Sequence, residues 1–131
     1  RQPDIDRSVS LIAKVPEVRL AMVKQQRLIV NSGNFVVVGR DIGTVVLPLA
    51  DLKLYLIAST SERADRRHRE LVKRGITISY EDVLSDLETR DRLDMDRELS
   101  PLKPALDAVI IDTNNMNLNQ VVDNMLKTVT T

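Results

Sequence analysis

Residues 35–44 read Phe-Val-Val-Val-Gly-Arg-Asp-Ile-Gly-Thr, and this stretch decides how the rest of the chain is interpreted. The apolar run at 35–38 predicts a strand buried on both faces of a parallel sheet. Gly39 ends the strand, and Arg40 and Asp41 follow at once, where open α/β sheets bind ligands. Arg40 offers a planar donor fork suited to phosphate, and Asp41 offers acceptors. An ion pair that only fixes the loop is the alternative.

The composition is that of an ordinary soluble domain. The 131 residues have zero net charge and 29% charged residues, and they are long enough to bury one core. Zero charge and only 2% aromatic residues count against nucleic-acid binding. The chain has no Cys, which excludes disulfides and thiolate metal sites. With no signal-peptide core and no membrane-length apolar run, a cytoplasmic protein without a membrane partner is expected.

Apolar spacing and turn residues predict alternating helices and strands. Ser59 with Glu62 matches a capping box, Ser79 with Asp82 opens another helix, and Gly75 ends a helix. Helices are expected at 7–14, from Pro16 to about 31, at about 61–74, about 80–97 and 117–129, and strands at 35–38, 53–58 and 108–112. This order predicts an α/β fold with a mostly parallel sheet.

Several charged residues lie on predicted helices. Arg90, Asp94 and Arg97 follow offsets of four and three, which place them on one helix face. A surface ladder of ion pairs is the alternative for these three residues. Taken alone, Ser10 and Arg19 are interpreted first as ordinary helix residues, and a functional role is the alternative.

The helix at about 61–74 is strongly basic. Its many arginines, Arg66 among them, indicate either a solvated face or a mobile flap that meets a polyphosphate. His68 is the only histidine of the chain, and the sequence around it suggests a structural or exposed side chain.

Taken together, these motifs resemble the bacterial cytidylate kinases, the (d)CMP kinases of the nucleoside monophosphate kinase family. The matching stretches are VSLIAKVPEVR at 9–19, GRDIGTVVLP at 39–48, SERADRR at 61–67 and TRDRLDMDRELSPLKPALDAVIIDT at 89–113. The resemblance implies a three-layer P-loop kinase-like α/β fold with a mostly parallel sheet, incomplete at the amino-terminal side. It also implies a lid-like helical region at about 61–97.

The resemblance gives the acceptor nucleotide a set of binding residues. It implies that Ser10, Arg19 and Asp41 bind the cytosine edge and that Arg40 holds the acceptor phosphate. Cytosine presents an amino donor for a carboxylate and ring acceptors for Arg or Ser, which agrees with these residue types.

The resemblance also assigns residues to the phosphoryl group that moves. Arg90 and Arg97 match catalytic arginines that contact the acceptor and transferring phosphoryl groups. Asp94 matches the carboxylate that holds the ribose hydroxyls and orients both arginines. Arg66 matches a lid position on the ATP side.

One family motif does not occur in these residues. The 131 residues nowhere read Gly-x-x-x-x-Gly-Lys-[Ser/Thr], the P-loop that cradles ATP phosphates. The family carries its P-loop ahead of the stretches quoted above, and the chain starts with Arg1 rather than Met. Residues 1–131 are therefore expected to be the carboxyl-terminal part of a cytidylate kinase domain.

The expected function is that of a phosphotransferase portion. The parent enzyme would transfer the ATP γ-phosphate to CMP or dCMP, using ATP and Mg²⁺, with no metal ligand expected in this chain. The isolated chain is expected to be inactive, and the alternative is a non-catalytic nucleotide- or anion-binding module, or an interaction module, derived from the kinase fold. Expected partners are CMP, dCMP and ATP, with a complementing amino-terminal half or a second copy.

A final expectation concerns the sheet. In the family, the P-loop strand lies between the strands matched by 35–38 and 53–58. Buried backbone groups require hydrogen-bond partners. We therefore expect these two strands to close up and pair in parallel when the P-loop strand is missing.

Overall fold

The computed structural model describes residue 12 and residues 15–95 and 103–130, apart from the side chains of Leu93 and Asp94. The chain divides into two compact units, residues 1–49 and residues 50–131. The helix expected at 7–14 lies outside the described residues, except for Ile12, which is helical.

The first unit is built on one helix. Helix α1 spans Pro16–Val30, with its proline at the first position, where the missing N–H costs no intrahelical hydrogen bond. A turn and a segment without regular secondary structure follow, and the chain then forms a π-helical turn at Ile42–Val46. Val46 is 3% exposed and is the one buried hydrophobic residue among those described in this unit.

The second unit contains a parallel strand pair. Its elements are β1 (Leu54–Ile57), α2 (Thr60–Lys73), α3 (Tyr80–Met95), β2 (Val109–Asp112) and α4 (Leu118–Val129). Strands β1 and β2 are parallel, with Leu54 opposite Val109. Helices α2 and α3 form the connection between them, and Ala64, Leu71 and Val83 make their shared apolar core. The predicted α/β fold class with parallel strands is confirmed.

The helix ends of the second unit follow the predicted signals with one exception. The Ser59 side chain accepts a hydrogen bond from the Glu62 N–H at 3.2 Å, and Gly75 has a φ of 76° just past α2. In a complete capping box the Glu62 side chain would accept a hydrogen bond from the Ser59 N–H. Here the Ser59 N–H donates to Asn114 Oδ1 at 3.0 Å instead. The Glu62 carboxylate instead accepts from Arg66 at 2.9 Å.

The predicted strand at 35–38 is wrong. These residues are described but form no strand, and Val36 and Val38 are each 92% exposed. The expected pairing of 35–38 with 53–58 is therefore also wrong, since β1 has β2 as its partner in the described sheet. A strand needs a neighbouring backbone, which an apolar run does not supply by itself. None of the described helices is long and apolar enough to cross a membrane.

Candidate functional site

The segment after the exposed apolar run turns sharply. The Asp41 carbonyl accepts from the Val46 N–H at 3.2 Å, and the Ile42 carbonyl accepts from the Leu47 N–H at 2.7 Å. These bonds span five residues, the π-helical pattern that is rare and frequent at functional sites. A Cβ atom at Gly39 would lie 2.7 Å from the Ile42 Cγ1 atom, so any larger residue there would force the Ile42 side chain to shift. Sequence reasoning predicted a loop at this position but not its π geometry.

Asp41 is joined to α1 by an ion pair. The Arg19 guanidinium donates to Asp41 Oδ2, although 22 residues separate the two in sequence. Both side chains are largely buried, at 19% and 18% exposure. Two of the residues predicted to bind a cytosine edge are therefore in contact. Arg40 immediately precedes Asp41 and is exposed.

A cavity of about 390 Å³ lies beside this ion pair. Its volume falls within the range of about 300–1,000 Å³ that is common for small-molecule sites. The lining residues come from α1, from the π-helical turn and the residue before it, and from residue 12: Ile12, Val18, Arg19, Met22, Val23, Gln26, Asp41 and Val46. The cavity is thus mainly apolar, with one cation, one carboxylate and one carboxamide on its wall, the composition expected of a ligand site. Gln26 was not among the predicted site residues, because a single Gln on a helix gives no distinctive sequence signal.

In the second unit, a polar cluster lies at the carboxyl ends of β1 and β2. Thr113, which directly follows β2, donates through its hydroxyl to the Ile57 carbonyl at 2.9 Å. Arg66 donates to the Thr113 carbonyl and, at 3.1 Å, to its hydroxyl. Arg66, predicted on the ATP side, is therefore held by α2 and by the loop after β2. This edge of a parallel sheet is where α/β proteins commonly bind ligands.

Arg63 was not predicted as a site residue, yet it connects three elements of the same unit. It donates to both carboxylate oxygens of Asp91 at 3.0 and 2.5 Å, and to the Ala58 carbonyl at 3.3 Å. The hydrogen bond to Asp91 raises the pKa of Arg63 above its ordinary value. A bidentate pair of this kind fixes α2 against α3. The spacing of 28 residues between Arg63 and Asp91 has no sequence signature.

His68 has a structural role, in agreement with the prediction. Its Nε2 atom lies 3.1 Å from the Ile78 carbonyl, and its ring packs edge-on against Tyr80 with centroids 6.2 Å apart.

Of the other predicted site residues, the structure describes Arg90 and the backbone of Asp94. Arg90 is exposed on α3, and the Asp94 backbone lies near the end of the same helix. Ser10 and Arg97 lie outside the described residues, as does the Asp94 side chain. The roles that the resemblance implies for these residues therefore stay predictions. Within 15–95 and 103–130, no group of three His, Cys, Asp or Glu side chains could hold a metal ion.

The cytidylate kinase family model matches residues 1–131 of this chain. The chain belongs to the cytidylate kinase family. It is 46% identical over 127 residues to the cytidylate kinase of Carboxydothermus hydrogenoformans, covering 97% of this chain and 57% of that protein. It is 45% identical over 129 residues to the Bacillus subtilis cytidylate kinase, covering 98% of this chain and 58% of that protein.

A fused relative matches the same family segment. The bifunctional pantoate ligase/cytidylate kinase of a Synechococcus strain is 46% identical over 97% of this chain, which is 24% of that protein. The chain thus spans a little over half the length of the two cytidylate kinases above, at 57% and 58%.

Proposed function

We propose that this chain carries the acceptor-nucleotide site of a (d)CMP kinase, whose whole protein transfers the ATP γ-phosphate to CMP or dCMP. The supporting observation is the Arg19–Asp41 pair on the wall of an apolar cavity of about 390 Å³. Membership of the cytidylate kinase family supports the same proposal.

The cavity has the chemistry that a cytosine base requires. Asp41 is an acceptor for the exocyclic amino group, and Arg19 is a donor for the ring acceptors, since cytosine presents one donor beside acceptors. Met22 and Val23 supply apolar surface for the faces of the ring. In this proposal Ser10 adds a further hydrogen bond to the base.

The arginines carry the phosphate part of the proposal. Arg40 binds the acceptor phosphate, while Arg90 and Arg97 neutralise charge on the acceptor and transferring phosphoryl groups. Asp94 binds the ribose hydroxyls and orients the two arginines. Phosphoryl transfer depends mainly on alignment and charge stabilisation rather than on covalent chemistry by the protein. Clustered guanidinium groups suit that task because each offers a rigid donor fork.

In the proposed reaction, ATP with Mg²⁺ is the phosphoryl donor. Arg66 is proposed to lie near the ATP phosphates as part of a lid formed by residues of about 61–97. The described residues offer no group of three metal ligands, and Mg²⁺ is commonly bound through nucleotide phosphates with few protein ligands. In this proposal Mg²⁺ is bound together with the ATP phosphates.

The proposal is tested by titrating the 131-residue chain with CMP in a calorimeter, with UMP and inorganic phosphate as comparison ligands. We expect CMP to bind best. We expect Arg40→Ala to weaken CMP binding by about 1.5–3 kcal/mol, the scale of a hydrogen bond to a charged group. Lys24→Ala, on the exposed side of α1, is the control and should leave binding unchanged.

The alternative gives a different result. A non-catalytic anion-binding module would bind inorganic phosphate and the two nucleotides with similar affinity, because it would not recognise the base. Equal affinities for CMP and UMP, or an unchanged titration curve for Arg40→Ala, would reject the proposed acceptor site.

A further inference from the structure

Two arginines of α1 contact opposite ends of the π-helical turn. Arg19 pairs with Asp41, which precedes the turn. Arg27, about two helical turns further along α1, donates from Nε to the Val46 carbonyl at 2.7 Å and from Nη2 to the Val45 carbonyl at 2.8 Å. One rigid helix therefore holds both ends of the turn.

We infer that Arg27 is a positioning residue of the acceptor site, which it serves by fixing the turn that sets the placement of Arg40 and Asp41. This role rests on the proposed function. Among the described residues, Arg27 is absent from the cavity lining, and its side chain donates to the Val45 and Val46 carbonyls, so its effect passes through the backbone of the turn.

The path from Arg27 to Asp41 is short. The Asp41 carbonyl accepts the N–H groups of Val45 and Val46 at 2.9 and 3.2 Å, and those two residues present their carbonyls to Arg27. The last carbonyls of a helical turn lack partners within it. Arg27 satisfies two of them with charge-assisted hydrogen bonds, which are stronger than neutral ones.

The cavity depends on the same contact. The Val46 side chain lines the cavity and is 3% exposed, while the Val46 carbonyl accepts the hydrogen bond from Arg27. If the turn relaxed, both the apolar wall and the Asp41 carboxylate would shift. A displacement of about 1 Å in a binding group can change a rate or affinity severely.

The geometry of the side chain matters as well as its charge. The guanidinium presents two N–H groups in a fixed plane, and here it spans two successive carbonyls. A lysine at this position would keep the charge but not the planar fork. Arg27→Lys should therefore retain part of the function, and Arg27→Met should lose it while keeping the apolar stem.

The experiment compares wild type, Arg27→Lys and Arg27→Met in the 131-residue chain, with Lys24→Met as the control on the same helix. Two quantities are measured: CMP affinity by calorimetry, and amide hydrogen exchange by NMR. We expect Arg27→Met to bind CMP about tenfold more weakly and Arg27→Lys to lie between it and wild type. Exchange at Val45 and Val46 should accelerate in both variants, while the amides of α1 keep their wild-type rates.

The outcomes separate the two proposals. If wild type binds CMP and Arg27→Met binds it equally well, the positioning inference is overturned while the acceptor site stands. Unchanged exchange at Val45 and Val46 would also overturn it. If wild type does not bind CMP, the proposed function fails and the nucleotide role of Arg27 fails with it. If Arg27→Met unfolds, Arg27→Lys supplies the same comparisons.

Discussion

Asp41 retains hydrogen-bonding capacity although it is already paired. An ionised carboxylate offers about four lone-pair sites, and the bond from Arg19 is directed to Oδ2. Because the pair is largely buried, its geometry is fixed and its remaining acceptor sites are oriented. A cytosine amino group could therefore be accepted without breaking the ion pair.

Replacing Asp41 by Asn should change base selectivity. The Asn amide can donate to the O4 acceptor of uracil, whereas the carboxylate can only accept. We expect Asp41→Asn to weaken CMP binding by about 1–3 kcal/mol relative to UMP, the scale of one specific base contact. Calorimetric titration with both nucleotides measures the ratio. Asp86→Asn, on an exposed position of α3, is the control, and an unchanged CMP-to-UMP ratio for Asp41→Asn would contradict the assignment.

Lys53 and Asp107 form an ion pair of unequal burial. The Lys53 ammonium lies 2.8 and 2.6 Å from the two Asp107 carboxylate oxygens, and the Lys53 side chain is 7% exposed against 64% for Asp107. The hydrogen bond from Lys53 lowers the pKa of Asp107 below its ordinary value of 3.8. A largely buried ammonium is costly without a carboxylate beside it.

Stability should therefore depend on pH through Asp107. Because the pKa of Asp107 is lower in the folded chain than in the unfolded one, its contribution is complete above about pH 4. It is lost as the pH falls through the lower, folded value. Urea unfolding of wild type and Asp107→Asn should show a difference in unfolding free energy that is largest near pH 6 and shrinks toward pH 3. A difference that stays constant over this range would contradict the assignment.

The end of α2 depends on the backbone conformation of Gly75. Its φ of 76° is in the left-handed region, and a Cβ atom built there would meet no atom within 4 Å. The cost of a side chain is therefore one of conformation, without a steric clash. Gly75→Ala should lower the unfolding free energy by about 1–2 kcal/mol, the cost of the left-handed conformation for an L-residue.

A matched glycine supplies the control. Gly33 does not have a positive φ, and a Cβ atom there would lie 3.6 Å from the Phe35 ring, an ordinary contact. Gly33→Ala should leave stability unchanged or raise it slightly, since alanine restricts the unfolded chain. Chemical denaturation of both variants measures the two effects, and equal losses would contradict the conformational explanation.

The same elements show what the sequence could predict. In the second unit, the bounds of every described helix and strand agree with the predicted bounds to within about two residues. They were predictable because caps, apolar spacing and Gly75 are local signals. The prediction of a strand at 35–38 was wrong because a strand forms only where its backbone hydrogen-bonds to a neighbouring strand. A run of valines favours extended structure but does not determine whether a neighbour pairs with it.

The contacts of the candidate site were less predictable from the sequence than the helices and strands. The prediction of Arg19 and Asp41 for one site came from resemblance to a family, and their contact spans 22 residues that no local periodicity links. Arg27 and Arg63 act through carbonyls and a carboxylate brought near by folding. Such partners depend on tertiary structure, so sequence spacing alone cannot identify them.

At the scale of the whole molecule, the proposed binding site and the proposed reaction require different sets of residues. The proposed binding of CMP uses the cavity beside α1 with Arg40 and Asp41 for the base and phosphate, and Arg90, Asp94 and Arg97 for the phosphate and ribose. Transfer of a phosphoryl group also needs a cradle for the ATP phosphates, which in P-loop enzymes combines backbone N–H groups, a Lys and a hydroxyl. The four glycines of the 131 residues lie at 33, 39, 43 and 75, and no such motif surrounds any of them.

We therefore predict that these 131 residues bind CMP but do not phosphorylate it. Purified chain, ATP, Mg²⁺ and CMP should yield no CDP by chromatography above the level of a protein-free control, under conditions in which calorimetry detects CMP binding. Electrostatic alignment of both phosphates provides most of the acceleration in phosphoryl transfer, so binding the acceptor alone should not suffice. Turnover that disappears in Asp41→Ala would contradict this prediction, because it would arise from the chain's own acceptor site. Turnover that persists in Asp41→Ala would instead identify a contaminating kinase.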